Sequence, residues 1–125
     1  MNLVDKNVGS VEYRGLLAGD FPVEKQNVVV KKVSDKLVAG SVVGLATEDK
    51  KAALLSKSAS DGTQEVYGVL LHDVDASGGD AGAVVAVTGD FVEDSLVFAD
   101  GTKADDVRAA AEARNIYFHK LVNKD

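Results

Sequence analysis

The stretch at residues 60–91, SDGTQEVYGVLLHDVDASGGDAGAVVAVTGDF, constrains the fold of this chain more than any other part of it. It contains two apolar runs, at residues 66–74 and 83–87, which are separated by a cluster of residues that favour tight turns. The runs suit pleated strands, and because adjacent positions are apolar, each strand should be buried on most of both faces. The sequence therefore predicts a β-hairpin at the centre of the core.

The composition narrows the class of protein. A length of 125 residues, 46% of them hydrophobic, is that of one globular domain. The net charge of −6 disfavours nucleic acid and anionic membranes as partners, and the absence of cysteine excludes disulfides and thiolate metal sites. No window approaches the roughly 20 apolar residues of a membrane helix, and the first residues do not resemble a secretory signal. Twelve glycines and one proline favour a turn-rich β domain.

The first part of the chain differs from the rest. Residues 1–25 show no regular pattern, and their apolar residues are scattered among polar ones before the single proline, Pro22. This segment is either a frayed terminus followed by a loop or an arm that becomes ordered on a partner by adding a strand to a sheet. We therefore treat residues 1–25 as an N-terminal arm, flexible or ordered on a partner, and residues 26–125 as a single domain.

The remaining elements are mostly strands. Runs rich in β-branched residues predict strands at 27–33, 37–46, 52–56 and 116–122, and the glycines inside 37–46 predict a curved strand. One helix is predicted from Lys103 to about Arg114, with Thr102 as the N-cap, Asp105 at the capping-box position and Asn115 just after the helix. The predicted fold is mainly β (α+β), with one short C-terminal helix.

The sequence offers little catalytic or metal-binding chemistry. Asp73 and Asp75 begin like a calcium loop, but Val84 stands where such a loop needs its bidentate glutamate, so a plain hairpin loop is favoured. His72 and His119 each stand alone in an apolar strand, and no nucleophile elbow, P-loop or dinucleotide motif occurs. We therefore expect no catalytic residue, no metal and no cofactor.

Several short motifs together resemble the bacteriophage head decoration protein family typified by the lambda head protein D. The likeness covers roughly residues 17–118, and it rests on the order and spacing of the motifs rather than on any single one. They are AG at 39–40 with VVG at 42–44, ASDGTQ at 59–64, GVLL at 68–71, DVDA at 73–76, the run 83–87 with Gly89, and RNIY at 114–117.

The resemblance implies a non-enzymatic virion protein with a β-clip-like bent ribbon. It also implies a homotrimer on the outside of an expanded icosahedral head that clamps subunits of the major capsid protein through its N-terminal arm. The arm residues expected to contact the capsid are Leu3, Val4, Val8, Val11, Tyr13, Leu16, Leu17 and Phe21. The residues expected at the trimer interface are Val66, Tyr67, Leu71, Tyr117 and Phe118.

Two other classes share the same strand pattern. One is a small β-clip-like ligand-binding or nucleotide-processing module, since fold alone does not determine function. Such a protein would need polar groups converging in a pocket, and no motif in the sequence supplies them. The other is a host adhesin or a tail subunit. Mass in solution, followed by addition to heads that lack decoration, would distinguish these classes.

Overall fold

The structure is a computed structural model that describes residues 22–120. Within this range, secondary structure consists of seven strands, one α-helix (α1) and one short 3-10 turn at Glu93–Ser95. The strands are β1 (Lys25–Val30), β2 (Val42–Leu45), β3 (Ala52–Leu54), β4 (Gly68–Leu70), β5 (Ala81–Ala86), β6 (Gly89–Val92) and β7 (Ile116–His119), and α1 is Ala104–Ala113. No helix in this range is long and apolar enough to cross a membrane.

Five of the strands close into a barrel in the order β1, β3, β2, β4, β5. The predicted hairpin is confirmed, because β4 and β5 are antiparallel neighbours with Val69 opposite Ala86 and Leu70 opposite Val85. β6 and β7 form a separate parallel pair, with Phe91 opposite Phe118. The mainly β class and the single short helix near the C-terminus are thus confirmed.

The apolar run of the hairpin is buried on both faces because it separates two apolar clusters. Leu70 points into the barrel, where it joins Val30, Val43 and Val85 in the inner cluster. Its neighbours Val69 and Leu71 point outward and belong to the outer cluster, which lies between the barrel wall and the layer formed by α1, β6 and β7. Strands that are covered on both faces need apolar side chains at successive positions.

The helix begins one residue later than predicted. Lys103, not Thr102, is the N-cap, and its N–H donates to the Asp106 carboxylate over 2.8 Å, so Asp106 and not Asp105 occupies the capping-box position. The Thr102 hydroxyl instead accepts a hydrogen bond from the Lys57 N–H over 3.0 Å, because a loop outside the helix competes for it. Asn115 follows the helix with φ of 66°, as predicted.

Two other predicted elements differ from the structure. The strand expected at residues 37–46 is interrupted at Gly40, whose φ is 97°, and only Val42–Leu45 pairs as a strand. Gly44 allows the close approach expected of a strand glycine, since a Cβ there would lie 2.5 Å from the Glu65 carbonyl oxygen. β6 begins at Gly89, in a part of the chain where no strand was predicted.

Candidate functional site

The arm residues expected to contact a partner lie outside the described residues. All eight of them, Leu3, Val4, Val8, Val11, Tyr13, Leu16, Leu17 and Phe21, precede Pro22, where the description begins. Their role stays a prediction. What the structure does define is the place where this segment joins the domain.

The junction between the arm and the domain is held by Thr88. The Thr88 hydroxyl donates to the Pro22 carbonyl over 2.8 Å and accepts from the Glu24 N–H over 3.0 Å. The Val87 N–H donates to the Glu24 carbonyl over 2.8 Å, which extends the pairing of β1 with β5 beyond Lys25. Val23 packs against the outer cluster. Residues 22–24 are therefore held in line with β1 where the chain enters the domain.

The five residues expected at a trimer interface fall into two groups. Val66, Leu71 and Phe118 are buried within the chain as members of the outer cluster. Tyr67 and Tyr117 are half-buried, so both keep surface that a neighbouring subunit can contact. The Arg114 guanidinium lies over the Tyr67 ring, 5.6 Å from its centroid, and the Tyr117 hydroxyl donates to the Asn115 side chain over 3.2 Å.

Strand β1 is the most exposed wall of the barrel. Its residues from Lys25 to Asn27 are exposed, and Val29 exposes 43% of its surface. It pairs with β5 along its whole length but with β3 only at Val30, which lies opposite Ala52. The barrel wall is therefore incomplete between β1 and β3 over residues 25–29, and we name this opening the β1–β3 gap.

A groove of about 800 Å³ lies beside the β1–β3 gap. On its far side is the turn between β2 and β3, at residues 49–51. We name this pocket the β1 groove. Six of the eleven side chains that line it are apolar or aromatic, namely Val28, Val29, Leu45, Tyr67, Ala83 and Val84. The sequence analysis did not identify it. The only local signal was the contrast between the apolar VVV at 28–30 and the polar residues on either side.

The polar groups at the margins of the groove hold the barrel together. The Lys51 ammonium donates to the Asp80 carboxylate over 2.6 Å, and the other carboxylate oxygen accepts from the Lys32 N–H over 2.8 Å. The hydrogen bond and charge of Lys51, together with the Lys32 bond, lower the pKa of Asp80. Asp80 in turn raises the pKa of Lys51. This network ties β5 to the chain after β1 and to the start of β3.

His72, also beside the groove, is committed to two backbone hydrogen bonds. Its Nε2 lies 3.1 Å from the Val84 nitrogen, and its Nδ1 lies 3.0 Å from the Asp73 carbonyl oxygen. Because the Val84 N–H can only donate, Nε2 must accept, and Nδ1 carries the proton that the Asp73 carbonyl accepts. The ring therefore joins β5 to the loop after β4 and has no ring nitrogen left for a ligand.

The aspartates of the loop between β4 and β5 accept hydrogen bonds from within the domain. Asp73 accepts from the Ala39 N–H over 2.9 Å, and Asp75 accepts from the Ser77 N–H and hydroxyl over 3.0 and 2.6 Å. The two Ser77 bonds lower the pKa of Asp75. Within residues 22–120, no three histidine or acidic side chains are grouped as a metal site requires.

The ASDGTQ block also has a structural role. The Asp61 carboxylate accepts from the Thr63 N–H and hydroxyl over 3.0 and 2.6 Å, which lowers the pKa of Asp61. The Asp61 carbonyl accepts from the Thr47 N–H over 2.7 Å, which fixes this turn against the end of β2. The shared motif therefore builds the domain rather than a reactive site.

Comparison with known proteins adds one result. The family model described as bacteriophage lambda head decoration protein D matches residues 14–116. A search of curated proteins gives no significant match. The matched range contains the whole barrel, α1 and the first residue of β7, and it begins before Pro22.

Proposed function

The chain belongs to the bacteriophage lambda head decoration protein D family, and from this membership we propose that it binds expanded heads as a trimer and bridges major capsid subunits. The family is structural rather than enzymatic, and its members decorate the surface of the phage capsid. The observation that carries the proposal is the family match, which begins within the predicted arm and extends through the β domain.

The arm supplies the contact with the capsid in this proposal. Its apolar side chains are too numerous for a segment that only keeps the protein soluble. The junction at Thr88 supports the assignment, because a fixed exit point directs the arm from a rigid barrel. Three arms on one trimer raise the effective concentration of each contact, so individually weak contacts can hold several subunits together.

Deleting residues 1–15 tests the arm. We expect the deleted protein to keep its thermal midpoint and its trimeric state, and to lose co-sedimentation with expanded heads that lack decoration. A matched pair of full-length variants controls for the length of the arm. The first variant changes the apolar residues Leu3, Val4, Val8 and Val11 to serine and should lose binding to heads. The second changes the polar residues Asn2, Asn7 and Ser10 to alanine and should keep binding. Unchanged binding by the deleted protein would remove the arm from the proposal.

Mass in solution tests the trimer. Sedimentation equilibrium should give about three times the chain mass of 13.1 kDa. Tyr67 and Tyr117 are the expected interface positions that keep exposed surface, but Tyr67 also borders the β1 groove, so we propose Tyr117 as the contact between subunits. Tyr117→Ser should lower the mass, whereas a monomeric wild-type protein without affinity for heads would contradict the whole proposal.

A further inference from the structure

The β1–β3 gap leaves backbone groups of β1 without a strand partner. The Val87 N–H donates to the Glu24 carbonyl, so in this antiparallel register the even-numbered residues of β1 exchange hydrogen bonds with β5. The odd-numbered residues point the other way, as the Lys31 N–H shows by donating to the Ala52 carbonyl over 2.9 Å. Among the described residues, no strand partner faces the N–H groups of Asn27 and Val29.

An unpaired strand edge beside an apolar groove is the surface that an added strand requires. Main-chain hydrogen bonds to the edge supply affinity, and pockets for alternate side chains supply specificity. The β1 groove provides such pockets, since Val28 and Ala83 border it from the barrel interior and Val84 from the outer face. A bound strand would complete the barrel wall between β1 and β3.

We propose that an extended segment of the major capsid subunit, carrying small or β-branched apolar side chains, binds in the β1 groove as a sixth strand paired with β1. This proposal rests on the proposed function, which makes the capsid the partner. Position in the chain favours that occupant, because the last arm residue expected to contact the capsid is Phe21 and β1 begins four residues later at Lys25. An arm bound to a capsid subunit therefore brings the open edge of β1 to the same subunit.

Gly82 allows the groove to be filled without disturbing the domain. It lies opposite Val29 on β5 and borders the groove, and a Cβ added there meets no atom within 4 Å. We expect Gly82→Phe to keep its thermal midpoint and trimer mass and to bind undecorated expanded heads about tenfold or more weakly than the wild type. Gly78→Phe is the matched control, because its Cβ also meets no atom and it does not border the groove. It should bind like the wild type.

Asn27→Pro tests the backbone hydrogen bond itself. Proline removes the N–H that faces the gap and leaves the bonds between β1 and β5 in place, a position where edge strands accept proline. We expect it to weaken binding to heads, whereas Asn27→Ala, which keeps the N–H, should not. Amide hydrogen exchange supplies a readout on the unmodified protein: exchange at residues 27–29 should slow on heads relative to the free trimer.

Each outcome separates this proposal from the function on which it rests. If Gly82→Phe binds normally, or if exchange at residues 27–29 is unchanged on heads, the groove proposal is overturned while loss of binding on arm deletion still supports capsid bridging. If Gly82→Phe lowers the mass of the free protein, the groove holds a second copy of this chain, and the proposal is also overturned. If the wild type itself fails to bind heads, the proposed function fails first.

Discussion

Strands β1 and β4 flank the same strand, β5, yet their environments are opposite. β4 is buried at all three of its residues, with the barrel interior on one face and the outer cluster on the other. β1 has one face exposed and one edge open over most of its length. The contrast divides the domain into a wall that maintains the fold and a wall that is available to a partner. Substitutions in β4 should therefore alter stability, and substitutions in β1 should alter binding.

The largest effect on stability is expected from Leu70→Ala in β4. The side chain is fully buried in the inner cluster, so its loss should lower the free energy of unfolding by about 2–5 kcal/mol. Val29→Ala in β1 is the matched change and should stay within about 0.5 kcal/mol, because Val29 is 43% exposed. Urea denaturation measures both. Equal losses in the two variants would abolish the distinction between the walls.

A smaller effect is expected from two glycine changes, one in β4 and one in β5 opposite β1. A Cβ at Gly68 in β4 would lie 2.8 Å from the Ala86 carbonyl oxygen, so Gly68→Ala should cost about 1–3 kcal/mol of unfolding free energy as the strands shift apart. Gly82→Ala, opposite β1, meets no atom and should be neutral or slightly stabilising. Thermal melts of the two variants measure both effects. A Gly68→Ala protein as stable as the wild type would show that β4 can move away from β5 without loss of stability.

The smallest effect is expected at the margin of the β1 groove, where Asp80 joins Lys51 and the Lys32 N–H. The pKa of Asp80 is lowered in the folded state, so its contribution to stability is present above the unfolded pKa of about 3.9 and is lost as the pH falls through the folded value. Asp80→Asn should therefore be less stable than the wild type at pH 7, and the difference should shrink as the pH falls below about 3.9. A difference that does not shrink as the pH falls would point to packing rather than charge.

The sequence predicted the buried wall better than the exposed one, and the reason is physical. Residues 66–71, VYGVLL, carry no charged side chain because both faces of this segment are covered, and that pattern is visible without knowledge of the partners. The helix and the positive φ of Asn115 follow equally from local preferences.

The features that the sequence did not reveal depend on contacts between distant residues. β6 is a strand only because β7, more than twenty residues later, pairs with it in parallel. The Thr102 hydroxyl accepts a hydrogen bond from the Lys57 N–H instead of capping the helix, and the sequence of the helix gives no sign of this contact. The β1–β3 gap depends on how far β3 runs alongside β1, and this register is set by the closure of the barrel.

The Thr88 junction also has a mechanical consequence. Because Glu24 continues the line of β1, a pull on the arm directed along that line loads the six residue pairs between β1 and β5 together, in shear. Hydrogen bonds loaded together share the force, whereas bonds peeled from one end break in sequence. An arm attached in this way can bear tension without unravelling the barrel to which it is fixed.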